Sequence, residues 1–217
     1  MFSGVRGHAQ LIEIFGVESK EKAVETAEII RRQTERMLDI ISNLLDVRKI
    51  EEGRMTYKLE PCDAPAMLGE VVSDYQLRAQ QKDIRLEVHC EAAAVATADT
   101  TAVRQILDNL VSNAVKYSPP HTTIQCSVVP EADAVSFEIQ DEGPGLSDED
   151  QKKLFKKFTR LTPLPTAGES SNGLGLWIVH RMRGAAYRGR VCWQRRLRVL
   201  RAEFLPRILS FRERKNV

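Results

Sequence analysis

Arg104-Gln105-Ile106-Leu107-Asp108-Asn109-Leu110-Val111-Ser112-Asn113-Ala114-Val115-Lys116-Tyr117 is the stretch that decides the fold, because one helical period gives it two different faces. Ile106, Leu110 and Val111 make a stripe that must be buried, while Asn109, Asn113 and Lys116 share another face at i, i+4 and i+7. The helix is expected over Thr101–Tyr117, stopped by Pro119-Pro120. Two amides and an ammonium on one face can hold a hydrated Mg²⁺ and the polyphosphate it bridges. The same face also reads as a plain solvated stripe. Either way, the apolar stripe needs a layer to lie on.

The surrounding sequence supplies that layer. Upstream, Met55–Glu60 alternates like a strand, Ala66–Lys82 returns to a helical pattern, Ile84–Val88 alternates, and Val95–Ala98 is a short strand leading to Asp99. Downstream, Thr122–Val129 and Ala134–Gln140 read as strands joined by a turn at Pro130-Glu131-Ala132-Asp133. Residues 141–172 are rich in Gly, Pro and Ser and hold one short basic amphipathic helix, Asp148–Phe158, before a helix over Leu174–Met182. Strands with helices gathered between them indicate an α+β layer, helices on one face of a mostly antiparallel or mixed sheet.

Two more segments can carry chemistry. Ile139-Gln140-Asp141-Glu142-Gly143-Pro144-Gly145 closes a strand. A carboxylate there can accept from an exocyclic amine, and glycines let backbone approach a flat ring; a simple turn has the same composition. Gly168-Glu169-Ser170-Ser171-Asn172-Gly173-Leu174-Gly175-Leu176 runs straight into a helix, whose free N–H groups and dipole suit phosphate. Between them Leu146–Asn172 has the makings of a lid, with Phe155 and Phe158 as packing anchors.

At the N-terminal end, Ala23, Ala27, Ile30, Thr34, Met37, Ile41 and Leu44 step by four and three along Lys20–Glu52, a heptad seam widened by Val24, Leu38 and Leu45. Ser19 can cap this helix and Gly53 can stop it. Ala9–Phe15 reads as the end of an earlier helix stopped near Gly16, so the two form an antiparallel hairpin. Its apolar faces are covered either in a four-helix bundle made by dimerisation or by the rest of the same chain.

Composition narrows the classes. The 217 residues, 42% apolar, can build a core, which excludes disorder throughout. No stretch approaches 18 uninterrupted apolar residues, and Met1–Arg6 lacks the apolar core of a signal peptide, so a cytoplasmic chain without a membrane span is expected. Cys62, Cys90, Cys126 and Cys192 are scattered and read as free thiols rather than a zinc site. The net charge of +2 hides a break: residues 1–180 carry 20 basic and 28 acidic side chains (−8), residues 181–217 carry 12 and 2 (+10).

In this order the segments resemble a family. Asn109–Tyr117 resembles the N box of the sensor histidine kinases, Asp141–Gly145 their G1 box, Leu154-Phe155-Lys156-Lys157-Phe158 their F box and Gly173–Leu176 their G2 box. Gln33–Met37 and Leu44–Glu51 look like the second helix of that family's dimerisation domain. The resemblance spans roughly residues 5 to 182 and implies an N-terminal helical hairpin followed by an α/β-sandwich (Bergerat-type, GHKL) ATP-binding domain. It implies ATP and Mg²⁺ as cofactors, transfer of the γ-phosphoryl group to a histidine, and relay to the receiver domain of a response regulator. It also implies a homodimer through the hairpin and no nucleic-acid partner.

By the same resemblance Asn113 is the Mg²⁺ ligand. Asn109 is the catalytic-face residue, standing near the place where related ATPases keep a general-base Glu. An amide there cannot activate water, which fits transfer to a side chain rather than hydrolysis. Lys116 and Tyr117 contact phosphate and ribose or adenine, Asp141 reads the adenine amine, and Gly143 and Gly145 shape its pocket. Gly173, Leu174 and Gly175 cradle the phosphates. Trp177 stands where the family commonly has a small residue.

Two departures qualify this. The family's phosphoacceptor lies about three helical turns before Gly7-His8-Ala9-Gln10-Leu11, hence before Met1, and His8, His89, His121 and His180 read as surface or packing residues. The expected domains are therefore 1–53, a dimerisation hairpin lacking the H box; 54–182, the ATP-binding domain; and 183–217, an atypical tail. In that tail Arg188-Gly189-Arg190-Val191-Cys192-Trp193 faintly resembles the first of the family's two closing strands, and beyond it the second is expected to be missing. Its eleven Arg to one Lys, against ten to ten before, fit an out-of-frame ending, with a divergent end or a basic arm as competing readings. A chain of this kind is expected not to autophosphorylate; the alternatives are a nucleotide-binding regulatory module or a non-functional fragment.

Overall fold

A computed structural model describes residues 5–7, 9–10, 12, 20–90, 94–131, 134–166, 169, 172–182, 191–194 and 199–204. The chain divides into two compact units, Met1–Gly53 and Arg54–Val217.

In the first unit, helix α1 spans Lys20–Glu51. Exposed ion pairs between Arg31 and Glu35 and between Arg48 and Glu52 decorate its polar side. Gly53 follows with φ +63°, the left-handed conformation in which helices commonly stop. The apolar seam is largely bare: Val24, Leu38, Ile41, Leu44 and Leu45 are between 44% and 61% exposed. Of the earlier hairpin helix, residues 5–7, 9, 10 and 12 are described and helical; Ser19, Gly16 and His8 lie outside the described residues.

In the second unit the elements run β1 (Glu60–Asp63), α2 (Ala64–Gln80), β2 (Arg85–Cys90), β3 (Val95–Ala98), α3 (Thr100–Tyr117), β4 (Thr123–Pro130), β5 (Val135–Gln140), α4 (Asp148–Lys153), α5 (Gly175–Met182), β6 (Val191–Gln194) and β7 (Val199–Phe204). β1 and β3 pair antiparallel as a small ribbon, with Glu60 opposite Ala98. The main sheet has the order β2-β4-β5-β7-β6. Only β2 and β4 are parallel in it, which makes the sheet mixed.

Alternation builds the core. Ile124, Cys126 and Val128 of β4 and Val135, Phe137 and Ile139 of β5 are buried, as are Leu68, Val71 and Val72 of α2 and Ile106, Leu107, Leu110 and Val111 of α3. Side chains at every second strand position meet helical stripes, the only geometry in which both periods bury one face. Two aspartates fix the helix starts. Asp63 accepts from Ala66 N at 3.1 Å. Asp99 accepts from Ala102 N at 2.8 Å and, through its other oxygen, from Lys58 N at 2.7 Å, so the α3 cap also ties down the chain entering β1.

Three expectations are corrected. The strand expected at Met55–Glu60 lies at Glu60–Asp63, because it must face β3 in register to pair. The helix expected over Asp148–Phe158 ends at Lys153, and Phe158 has φ +55°, which no right-handed helix can include. A second closing strand is present where none was expected: β7 pairs with β5, Ile139 opposite Leu200 and Glu138 opposite Arg201, and with β6, which lies on the stretch resembling the first. Val199–Phe204 alternates Leu200, Ala202 and Phe204 with Arg201 and Glu203, a strand period that the arginine density obscured. No helix among the described residues is long and apolar enough to cross a membrane.

Candidate functional site

The site residues expected from sequence gather on α3 and on the loops at its C-terminal half. Asn109, Asn113, Lys116 and Tyr117 are all partly exposed, beside a fully buried stripe of Ile106, Leu110 and Val111. Asn109 donates from Nδ2 to the Gln105 carbonyl at 2.8 Å. Its Oδ1 fills the space where Gly175 lacks a side chain, so closely that a Cβ there would collide with it. Asn109 therefore joins the polar face of α3 to the first turn of α5.

The turn after β5 reaches the same helix. Asp141 Oδ1 accepts from Gly143 N at 2.8 Å, folding the turn back. A Cβ on buried Gly143 would stand 2.7 Å from Asp141 Oδ1 and 3.1 Å from the Tyr117 carbonyl oxygen, so only glycine allows this approach. Gly145 has φ +73°. A carboxylate has about four acceptor positions, so Asp141 can fold the turn and still receive an amine.

Gly173 (φ +67°) and buried Leu174 lead into α5, with Leu174 N donating to Asn172 Oδ1 at 3.2 Å. A Cβ on Gly173 would meet the Thr159 backbone at 2.6 to 2.9 Å. The glycine loop thus rests on the segment that begins the lid. Within that segment Phe155 stacks on His180, as a packing anchor should, but Phe158 is 63% exposed and anchors nothing there. Leu154, at the end of α4, is the apolar residue of this segment that is buried.

Sequence reasoning missed the residues that tether the lid. Lys82 is nearly buried; its ammonium donates to the Val115 carbonyl, to the Lys116 carbonyl at 3.3 Å and to Glu169 Oε1 at 3.2 Å. Thr166 donates from its N–H to the Lys116 carbonyl at 3.0 Å and from its hydroxyl to the Ser118 carbonyl at 2.9 Å. These bonds satisfy carbonyls that the end of α3 would otherwise leave orphaned, and a cation there suits the helix dipole. Asp150 accepts from Ser147 Oγ at 2.8 Å and from Thr162 N and Oγ1 at 3.0 and 3.1 Å, closing residues 147–162 into a loop. The Thr162 backbone N–H is the main reason its carboxyl lies below the ordinary carboxylate value. Separations of 12 to 87 residues left no sequence signal for these contacts. Ser147, three residues from Asp150, caps α4 by accepting from Asp150 N.

Electrostatics near α3 divide by face. Beside Asn109, burial raises the Asp108 carboxyl, against the lowering influence of Arg104. Arg104 also pairs with Asp74 and, at 3.3 Å, with Glu70, holding α3 against α2 away from the polar face. Deep burial pushes the Cys126 thiol up to about 12, so it is inert packing.

Comparisons with known proteins bear on the family and the fold. Residues 98–202 match the family described as histidine kinase-, DNA gyrase B-, and HSP90-like ATPase, and residues 2–53 match the His Kinase A (phospho-acceptor) domain. The circadian input-output histidine kinase CikA of Synechococcus elongatus is 30% identical over 165 residues, 75% of this chain and 22% of that protein. The chain therefore spans about a fifth of that relative's length. The full-length structure of ShkA in complex with AMPPNP has a TM-score of 0.71 at 24% identity, covering 93% of this chain and 42% of that one. Histidine kinase ThkA in complex with the response regulator protein TrrA gives 0.70 at 18% identity, covering 94% and 57%. The ATPase match reaches residue 202 and so takes in β6 and most of β7.

Proposed function

Because this chain belongs to the sensor histidine kinase family, we propose that it binds Mg·ATP on α3 and holds the γ-phosphoryl group for transfer to a histidine, ahead of relay to a response-regulator receiver domain. Residues 1–53 serve as the dimerisation hairpin. The ATP-binding domain starts at 54 and runs past 182 to include β6 and β7. The observation that carries the reading is the double approach of glycine backbone to one polar helix face, Gly143 on Tyr117 and Gly175 on Asn109.

The donor set fits the cofactor. Asn113 offers a neutral oxygen to Mg²⁺ and Lys116 a cation to phosphate. Tyr117 borders ribose or adenine, Asp141 accepts the adenine amine, and Gly143 and Gly145 leave room for the flat base. Gly173, Leu174 and Gly175 would cradle the phosphates at the start of a helix, where nucleotide binding would draw the Leu174 N–H away from Asn172. Mg²⁺, when bound, neutralises charge on the phosphates. Asn109, held by Gln105 and packed on Gly175, orients but cannot take a proton, in keeping with transfer rather than hydrolysis.

The exposed seam of α1 supports a homodimer, since apolar residues at heptad spacing find a partner in a second copy. A cytoplasmic location, where ATP and response regulators occur, goes with this function. The four histidines of the 217 residues are His8, His89, His121 and His180, and none holds the acceptor position that the resemblance implies. The isolated chain is therefore expected not to label itself, and acid-labile, base-stable label from radioactive ATP would refute that.

Thermal melting with Mg·ATP tests the site. At a nucleotide concentration about a hundred times Kd, binding stabilises by about 2.7 kcal/mol. That corresponds to a rise of roughly 5–10 °C for a domain of this size. Asn113→Ala and Asp141→Ala should abolish it, and an unmutated chain that shows no rise refutes the reading.

A further inference from the structure

The segment after α4 lies along α5 as three matched rungs. The Phe155 ring stacks on the His180 ring, centroids 4.6 Å apart at 17°. Lys157 Nζ stands 4.5 Å from the centroid of the Trp177 ring, and the guanidinium carbon of Arg181 stands 5.5 Å from it. The Thr159 backbone fills the space in front of Gly173, where a Cβ would be 2.6 Å from its carbonyl oxygen. Residues 154–158 run in turns, with Lys156 N donating to the Lys153 carbonyl at 3.0 Å and Phe158 at φ +55°, and these turns carry 155, 157 and 159 past 180, 177 and 173, which recede by three and four along one side of a helix and its approach. The middle rung is the unusual one. Trp177 is 5% exposed, and its ring attracts two cations that otherwise repel each other.

We propose that Trp177 is a positioning residue for the phosphate loop. By holding Lys157, the indole fixes the segment from Leu154 to Thr159 on α5, and Thr159 in turn fixes the backbone at Gly173. The consequence for affinity rests on the nucleotide reading above; the consequence for loop position rests on the rungs alone. The contacts of Trp177 link it through Lys157 and Thr159 to the loop.

The test uses the full chain with Trp177→Leu, Trp177→Phe, Lys157→Met and the Leu/Met double variant. Displacement of a trinitrophenyl ATP analogue by Mg·ATP should weaken about three- to tenfold in Trp177→Leu, the range a cation–π contact can supply. Displacement by adenosine, which lacks phosphates, should stay unchanged. Trp177→Phe keeps a π face and should retain most of the affinity. The double variant should be no weaker than Trp177→Leu, because the two residues act as one unit. Equal losses for ATP and adenosine, or Phe as damaging as Leu, overturn the proposal.

Amide exchange from Leu174 to Leu176 without nucleotide should quicken in Trp177→Leu and in Lys157→Met. Unchanged exchange in Lys157→Met, which leaves the buried ring in place and so survives any folding defect at 177, overturns it as well. An unmutated chain that fails to bind the analogue sinks the nucleotide reading, while the exchange measurement still decides the role of Trp177.

Discussion

Gly173→Ala should be the most damaging single change in the glycine loop. Its φ of +67° places an alanine in the left-handed region, at about 1–2 kcal/mol. The new Cβ would lie 2.6 Å from the Thr159 carbonyl oxygen, 2.8 Å from its nitrogen and 2.9 Å from its carbonyl carbon. All three are backbone atoms, so no rotamer change relieves the clash, and overpacking of this kind costs about 1–3 kcal/mol. A total near 3 kcal/mol corresponds to a melting point lower by roughly 6–12 °C in a chain of this size. Gly173→Asn separates the two causes. Asparagine tolerates left-handed backbone but carries the same Cβ, so it should be nearly as destabilising as alanine if the collision dominates. Circular dichroism melts of the three chains, with and without Mg·ATP, give the answer. An alanine variant melting within about 2 °C of the parent and still stabilised by Mg·ATP would falsify the close packing of loop on lid.

Four further outcomes follow from the same contacts. Lys82→Met leaves the Val115 and Lys116 carbonyls and Glu169 without their shared cation and should destabilise the domain by about 1–3 kcal/mol, measured by urea unfolding. Asp150→Asn should lower the melting point at pH 7. Because the folded carboxyl lies below its ordinary value, its contribution exists above the unfolded pKa of about 3.9 and is lost as pH falls through the folded value. The gap between variant and parent should therefore close on acidification; a gap that widens there contradicts the sign. Leu38→Asp with Leu45→Asp should convert a dimer to monomer in sedimentation, and an unaffected dimer would move the interface off α1. Gly175→Ala should either expel Asn109 from Gln105 or shift α5, and in both cases weaken Mg·ATP binding about tenfold or more by calorimetry.

What the sequence disclosed depended on the range of the forces involved. The α3 faces, the alternation of β4 and β5 and the heptad seam of α1 are local periodicities, and each lies within a residue or two of its expected place. The glycines of the turn and loop were legible because their freedom is written in one residue type. Lys82 and Asp150 were not, since their partners lie far away in the chain and both look like ordinary surface charges. The strand at Val199–Phe204 was missed for another reason: net charge was weighed above period, although Leu200, Ala202 and Phe204 alternate with Arg201 and Glu203.

The strand order has a consequence in time. β7, synthesised last, lies between β5 and β6, so β6 leaves the ribosome earlier yet has no neighbour until β7 arrives. The outer edge of β5 ends at Gln140 and waits for Val199, a delay of roughly 3–12 s at ordinary elongation rates. During that interval Phe137 and Ile139 belong to an unpaired strand edge, the kind of surface that recruits chaperones or a second nascent chain. Slow codons between 141 and 198 would lengthen the exposure.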